Sequence, residues 1–336
     1  MSEFVDFLKR DTSASFTDDR VAHFGNPERE IETALANVSK CPLLSLGVVS
    51  FTGTDARSFM NGQFTTDCTG IMPRHSQFSA WCDPKGRVLY IFTLYIDGER
   101  LYAILPKAQI DSFMRRLNLY ILRADVELGN LSDALIVIGL SGTSSPDTTG
   151  LDEPWDTAQR PGATRIIRQG AGPPRFMIVG PDGSARERWA ALEIPAVGEI
   201  AWKTLEIFGG VPRLDERTSG RFLPQQLNLD ALNALSFSKG CYPGQEIIAR
   251  LKYRGAVKKR LLIATVASPT EPVSGTPIQI NGSGRTVGHV LNAQRLDAGR
   301  SALSAVVEVD ATVADLHIEK SKGPALRRID LPYAVD

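Results

Sequence analysis

Apolar positions along the chain alternate between two periods, and the alternation divides it into elements. Residues 43–51 read as a strand, and Thr54 or Asp55 can cap a helix running to about Gly62 with Phe59 and Met60 facing inward. Two β-branched and aromatic runs, 78–82 and 88–96, flank Asp83-Pro84-Lys85-Gly86, a hairpin signal. Asp97-Gly98 precedes a third run at 101–105, so a meander is expected. Ile110, Phe113, Met114 and Leu117 fall at i, i+3, i+4 and i+7, which predicts an amphipathic helix covering one face of that sheet. Strands near Val126, at 135–139 and at 176–179 continue an α+β pattern.

The rest is organised by breakers and by short runs. Residues 141–161, rich in Gly, Ser, Thr and Pro, read as a surface excursion. Ala201, Thr204, Leu205 and Phe208 share one helical stripe, leaving Glu206 on its flank and able to face a cavity. After Gly255 come short β-runs at 261–266, 277–280, 287–292 and 303–309, with Asn281-Gly282 as a turn, and these predict a small C-terminal β-barrel. The first forty residues are polar and weakly patterned and read as a partly ordered extension. The expected domains are therefore 1–40, an extension; 41–135, a first α/β lobe; 136–254, a second; and 255–336, the barrel.

Composition narrows the function classes only a little. The 336 residues carry 38 basic and 38 acidic side chains, so no whole-protein attraction to nucleic acid is expected. No apolar stretch approaches the ~20 residues of a membrane helix, and Met1-Ser2-Glu3-Phe4-Val5-Asp6 lacks a signal peptide's apolar core, so a cytoplasmic location is expected. Cys41, Cys68, Cys82 and Cys241 are scattered without a Cys-x-x-Cys pair, and His23, His75, His289 and His317 have no metal-ligand spacing. Neither a disulfide framework nor a self-contained metal site is written in the chain. The glycine clusters do not follow a strand with dinucleotide-binding spacing.

The chemistry concentrates in Lys239-Gly240-Cys241-Tyr242-Pro243-Gly244-Gln245-Glu246. Two glycines around a Tyr-Pro pair allow a tight turn, and a helix can start at Gln245, which would place Cys241 near a helix N-terminus. The partial positive charge there, with Lys239 two residues away, favours thiolate over thiol. A buried structural cysteine is the competing reading. From Lys239 to Arg260 the chain has Lys239, Arg250, Lys252, Arg254, Lys258, Lys259 and Arg260 against a single acid, Glu246. Such a segment suits the carboxylates of a ligand, or is a solvated face. RNA binding is a third reading, but only Tyr242 and Tyr253 are interleaved as stacking platforms, so direct nucleic-acid binding is not expected.

Stretches within two blocks, residues 43–95 and 200–262, carry a resemblance. They are Gly53-Thr54-Asp55 through Asn61-Gly62-Gln63 to Asp67 with Cys82-Asp83-Pro84-Lys85-Gly86-Arg87, then Leu205-Glu206-Ile207-Phe208-Gly209-Gly210-Val211-Pro212, and the run from Ser236 through the octet to Arg260. Together they resemble the folate-binding YgfZ-type proteins, relatives of the aminomethyltransferase (T-protein) of the glycine cleavage system. The resemblance implies an α+β fold of two α/β lobes, antiparallel sheets with helices, and a C-terminal β-barrel around a central channel. It implies tetrahydrofolate or a derivative as cofactor, with Glu206 clamping the pterin ring through two parallel N–H bonds. Asn61 and Gln63 are neutral groups suited to a polar ring, and Gln245, Glu246, Arg250, Arg254, Lys258 and Lys259 complete the expected folate contacts.

One departure from the T-protein pattern bears on activity. Where T-proteins carry a catalytic aspartate pair, this chain has Tyr90 and Ile91. Losing a positioned acid or base removes typically 10²–10⁴-fold, which argues against glycine-cleavage aminomethyl transfer. The resemblance implies instead a factor supporting iron–sulfur cluster assembly or repair in client enzymes, including tRNA-modifying ones, with Cys241 and Lys239 as the reactive pair and Cys241 as a transient iron ligand. Assembly proteins and client enzymes are the implied partners. A folate-dependent one-carbon transferase or demethylase using the same cysteine, and a non-catalytic binding module, are the alternatives.

Overall fold

The structure, a computed structural model, describes residues 2–11, 13–143, 146–170, 172–312 and 314–335. Contacts divide the chain into two units, one comprising Met1–Gly62, Thr66–Ser79 and Phe92–Trp202, the other Gln63–Thr65, Ala80–Ile91 and Lys203–Asp336. The helices are α1 (Glu3–Asp11), α2 (Pro27–Ala36), α3 (Ala56–Gln63), α4 (Ile110–Ile121), α5 (Asp182–Ala191), α6 (Glu199–Phe208) and α7 (Gln245–Arg254). Among the described residues no helix is long and apolar enough to cross a membrane.

The first unit holds a five-stranded antiparallel sheet in the order Thr157–Arg160, Thr164–Arg168, Arg175–Pro181, Leu135–Ser141, Ser39–Pro42. Its core takes Ile136, Ile138, Leu140, Phe176 and Ile178 from the strands, Trp189 from α5, and Phe4 and Leu8 from α1. The N-terminal segment is thus folded, against the expectation of a partly ordered extension. Phe4 and Leu8 sit one helical turn apart, a stripe too short to stand out in a polar stretch. A side chain far along the chain completes the helix start: the Asp182 carboxylate accepts from Ser2 Oγ (2.6 Å) and from the backbone N–H groups of Glu3 (2.6 Å) and Phe4 (3.2 Å). These are the donors that a helix leaves without internal partners.

The predicted surface excursion at 141–161 is also more ordered than its composition suggests. Leu151 and Trp155 are buried, and Thr157–Arg160 forms the edge strand; Ser144 and Ser145 lie outside the described residues. The expected meander is present as a second sheet, ordered Gln77–Cys82, Val88–Asp97, Arg100–Pro106, Leu46–Thr52, Glu127–Asn130. Helix α4 buries Ile110, Phe113 and Leu117, and the Phe113 ring meets Phe51 and Phe92 edge-on at 6.5 and 5.5 Å.

The second unit carries the C-terminal sheet, six strands ordered Leu316–Ile318, Pro277–Ile280, Thr286–Arg295, Arg300–Glu308, Lys259–Ala267, Leu326–Ile329. Alternate residues Leu262, Ala264 and Val266 of one strand and Leu303, Ala305 and Val307 of its neighbour line the same core-facing side of the sheet, the period-two burial expected of these runs. Register shifts after Val290 and Ile278 curl the sheet into a half-barrel. Its edge strands have three and four residues, and an isolated bridge from His317 to Ala325 links the two edges.

Candidate functional site

The octet owes its conformation to two glycine turns in the second unit. Gln245 N–H donates to the Tyr242 carbonyl at 3.2 Å, with Pro243 and Gly244 between them and Gly244 at φ 79°, ψ 1°. Those values make a type II turn, in which proline presets the first central position and glycine takes the positive φ of the second. Helix α7 starts immediately after it, as expected, with Gly244 as its N-cap. Opposite lies the hairpin turn Asp83–Gly86, closed by a Gly86 N–H to Asp83 carbonyl bond of 2.9 Å. The Asp83 carboxylate accepts the N–H groups of Lys85 and Arg87, each at 2.8 Å. The two turns pack backbone to backbone: a Cβ built on Gly244 would lie 2.4 Å from Gly86 Cα and 2.7 Å from the Asp83 carbonyl oxygen.

This support leaves one side of the octet buried and the other in solvent. Tyr242 is 6% exposed, and its hydroxyl has no hydrogen-bond partner. Burial, and then the neighbouring Cys82 thiol, raise the Tyr242 pKa. Burial, and then the Asp83 carboxylate, raise that of Cys82 itself, which holds it as an inert thiol. Cys241, one residue earlier, is exposed, whereas Cys41, Cys68 and Cys82 are all buried. Of the two readings open for Cys241, the buried structural thiol is therefore excluded. Native-state alkylation with iodoacetamide is expected to modify one of the four thiols, Cys241, and mass spectrometry of the digest checks it. Modification of Cys82 at a similar rate would contradict the packing described here.

Lys239 does more structural work than its sequence position suggests. Its ammonium donates to the Phe64 carbonyl at 2.7 Å and lies 5.1 Å from the Tyr242 ring centroid. Nearby, Ser236 N–H donates to the Thr65 carbonyl at 2.8 Å, and Thr65 Oγ1 to the Ala234 carbonyl at 2.7 Å. These bonds stitch Phe64 and Thr65 along the octet's approach. Gln63 Oε1 is buried and unpartnered, an acceptor suited to an N–H donor from a ring ligand. Asn61, by contrast, uses its Oδ1 to accept Cys68 N–H at 3.1 Å.

Glu206 is on α6 as predicted and is 9% exposed. Its carboxylate is held by Arg213. Arg213 Nε reaches Oε2 at 3.1 Å, and Nη2 closes a second bond to Oε1, a bidentate fork. Arg213 lies past the end of the helix, and no periodicity pointed to it. A carboxylate can accept the two parallel N–H groups of a pterin ring. The orphaned Gln63 Oε1 thus fits an N–H of a folate ring chemically.

The remaining expected contacts follow α7. Gln245 Nε2 donates to the Lys239 carbonyl at 3.5 Å, and Glu246 is exposed in the first helical turn. Arg250, Arg254 and Lys258 are exposed and Lys259 half-buried. Arg260, counted among the cations, is neutralised by Asp230, whose carboxylate oxygens lie 2.7 and 2.9 Å from Nη1. Tyr90 and Ile91, where the resemblance would place the T-protein aspartates, are 7% and 5% exposed, with the Tyr90 ring stacked on Trp81 at 5.7 Å. Among the described residues no three His, Cys, Asp or Glu side chains converge as a metal site.

Comparison with known proteins gives one consistent set of relatives. The tRNA-modifying protein YgfZ of Vibrio vulnificus is 30% identical over 319 residues, spanning 91% of this chain and 95% of the relative. The protein of the same name from Colwellia psychrerythraea is 27% identical over 312 residues, spanning 90% and 96%. Among solved structures, the glycine cleavage system aminomethyltransferase T of Bartonella henselae superposes with a TM-score of 0.78, covering 99% of this chain and 97% of that one at 14% identity. The architecture is therefore T-protein-like. No protein-family model matches the chain.

Proposed function

Because the chain belongs to the YgfZ family, we propose that it acts in tRNA modification as a tetrahydrofolate-binding factor that supports iron–sulfur cluster assembly or repair in client enzymes. The names of the relatives support the tRNA-modification part of this reading, and the T-protein-like fold supports the folate part. The observation that carries the assignment to Cys241 is its presentation: an exposed thiol on a turn whose other members are anchored by Gly86, Lys239 and buried Tyr242.

In this reading the cluster is cargo. Cys241 loses its proton to solvent as it ligates an iron and regains one when a client thiolate displaces it, since soft thiolates suit iron–sulfur chemistry. Folate, when bound, supplies a reduced pterin. Gln63 would accept from the ring, Glu206 would orient it through its carboxylate, and Lys258 and Lys259 would receive the carboxylates of the glutamate tail.

The test has two arms. Cells lacking the gene are complemented with wild type or Cys241→Ser, and iron–sulfur enzyme activities and thiolated tRNA nucleosides are measured. Rescue by wild type alone is the expected result; equal rescue by Cys241→Ser would leave the protein a binding module. In the second arm tetrahydrofolate is titrated calorimetrically into wild type, Glu206→Ala and Lys258→Ala/Lys259→Ala. Saturable binding lost with Glu206, and tightened by a longer glutamate tail only when both lysines are present, is expected. Absence of binding to wild type would remove folate from the proposal. Turnover of a methylated folate by the protein alone would favour a transferase instead.

A further inference from the structure

We propose that the exposed C-terminal end of α7 and the cleft beside it bind single-stranded RNA, with Tyr253 as a stacking platform and Arg250, Lys252, Arg254 and Lys258 as phosphate contacts. The overall charge balance and the few interleaved tyrosines argued against such a site in the sequence. Three structural observations change that. Tyr253 is 67% exposed, while the other candidate platform, Tyr242, is buried. None of Arg250, Lys252, Arg254, Lys258 and Lys259 takes part in an ion pair among the described residues, although Arg260 close by does. The tyrosine is also held in place: its ring meets Phe237 edge-on at 6.2 Å and 76°, and the Lys252 ammonium lies 4.0 Å from the Phe237 centroid.

These features answer the two needs of single-strand binding, cations that follow the backbone and an exposed aromatic face for an unstacked base. The cations at the end of α7 complement its dipole, but that favours charge only within the last turn and does not account for Lys258 beyond it. Beside Tyr253, Phe237 and Lys252 wall an open cleft of about 830 Å³ that also contains Asn233, Thr312 and Arg328. Its polar groups can pair with a base edge and its apolar wall can receive a base face. An acidic peptide would satisfy the cations but would leave Tyr253 and the cleft unused. The surface shares Arg250, Arg254 and Lys258 with the expected folate-tail contacts, but it does not rest on folate binding, because neither Glu206 nor Cys241 belongs to it.

The test is fluorescence anisotropy of a labelled single-stranded RNA of about twelve nucleotides, a length that covers one binding site of this kind. Wild type is expected to bind with log affinity falling against log salt at a slope near −3, at about −0.7 for each of four neutralised phosphates. Tyr253→Ala should weaken binding about tenfold, with the slope and thermal stability unchanged, and Tyr253→Phe should retain it. Arg250→Gln/Arg254→Gln should reduce the slope to about half. Glu206→Ala and Cys241→Ser should bind as wild type does, even if folate binding and complementation fail. The proposal is overturned by absence of saturable binding at about 50 mM salt, by binding indifferent to Tyr253, or by equal competition from duplex RNA or a polyglutamate peptide. The last would mark an acidic protein as the occupant.

Discussion

Gly244→Ala is expected to cost the protein about 3 kcal/mol or more of stability, whereas Gly240→Ala, four residues earlier in the same octet, is expected to stay within about 0.5 kcal/mol of wild type. A non-glycine residue at the φ of 79° held by Gly244 costs roughly 1–2 kcal/mol before any contact is considered. The added methyl would then stand 2.4 Å from Gly86 Cα, 2.5 Å from Gly86 N and 2.7 Å from the Asp83 carbonyl oxygen. None of these is the movable end of a side chain. Gly86 is itself at φ 73° in a turn bound by the Asp83 carboxylate, so the opposing backbone cannot easily withdraw. A Cβ at Gly240 meets nothing within 4 Å. Urea unfolding of the two variants makes the comparison, and equal midpoints would show that the turns do not pack as described. Separation of the turns should also loosen the Tyr242 anchor, so residual folded Gly244→Ala protein should show Cys82 reacting with iodoacetamide.

That pair of glycines illustrates which parts of the molecule were legible in the sequence. Each turn could be read by itself: Asp83-Pro84-Lys85-Gly86 between two β-runs is a hairpin, and Tyr242-Pro243-Gly244-Gln245 before a helical stretch is a type II turn. Local chemistry specifies such features. Their approach to one another is a tertiary fact, invisible to any window of neighbouring residues. The same division holds for α4, whose stripe of Ile110, Phe113 and Leu117 was readable, and for α1, whose Phe4 and Leu8 gain meaning only from the sheet they meet. The short strands of the C-terminal sheet were visible as apolar runs. How far its edges approach depends on register shifts after Val290 and Ile278 that no composition signals.

At the candidate site, sequence reasoning found the residues but not their partners. Cys241 and Glu206 came from motif context, and both occupy the elements expected of them. The sequence shows the charge of Lys239 beside the thiol, yet its ammonium reaches the Phe64 carbonyl, 175 residues away in the chain. Arg260 counted toward a cationic segment, yet Asp230 neutralises it. Tyr253 was one of two tyrosines in a basic run, and only burial separates it from Tyr242. Charge counts along a segment cannot tell a paired cation from one facing solvent.

Arg213→Ala should be the more damaging half of an unequal pair, destabilising the protein by about 2–3 kcal/mol, while Glu206→Gln/Arg213→Ala recovers much of that loss. The Glu206 side chain is 11% exposed and that of Arg213 29%. Removing the arginine leaves a carboxylate out of water without its bidentate partner, which in a fully buried setting costs about 3–5 kcal/mol. Partial exposure of Arg213 lets water enter and lowers the figure. The backbone at that point should hold, because the Arg213 carbonyl accepts Asn292 Nδ2 at 2.9 Å independently of the side chain. Urea denaturation of the two single variants and the double variant measures the coupling, expected at about 1–3 kcal/mol; a value near zero would show that the fork contributes little in solution. Tetrahydrofolate then links stability to the proposed site. In Arg213→Ala the lone pairs that Arg213 held become available to the pterin, so a ligand at about a hundredfold its Kd should restore about 2.7 kcal/mol by mass action. The same addition should leave Glu206→Gln/Arg213→Ala unmoved. If both variants are stabilised equally, the ligand binds without Glu206; if neither is, Glu206 serves the fold alone.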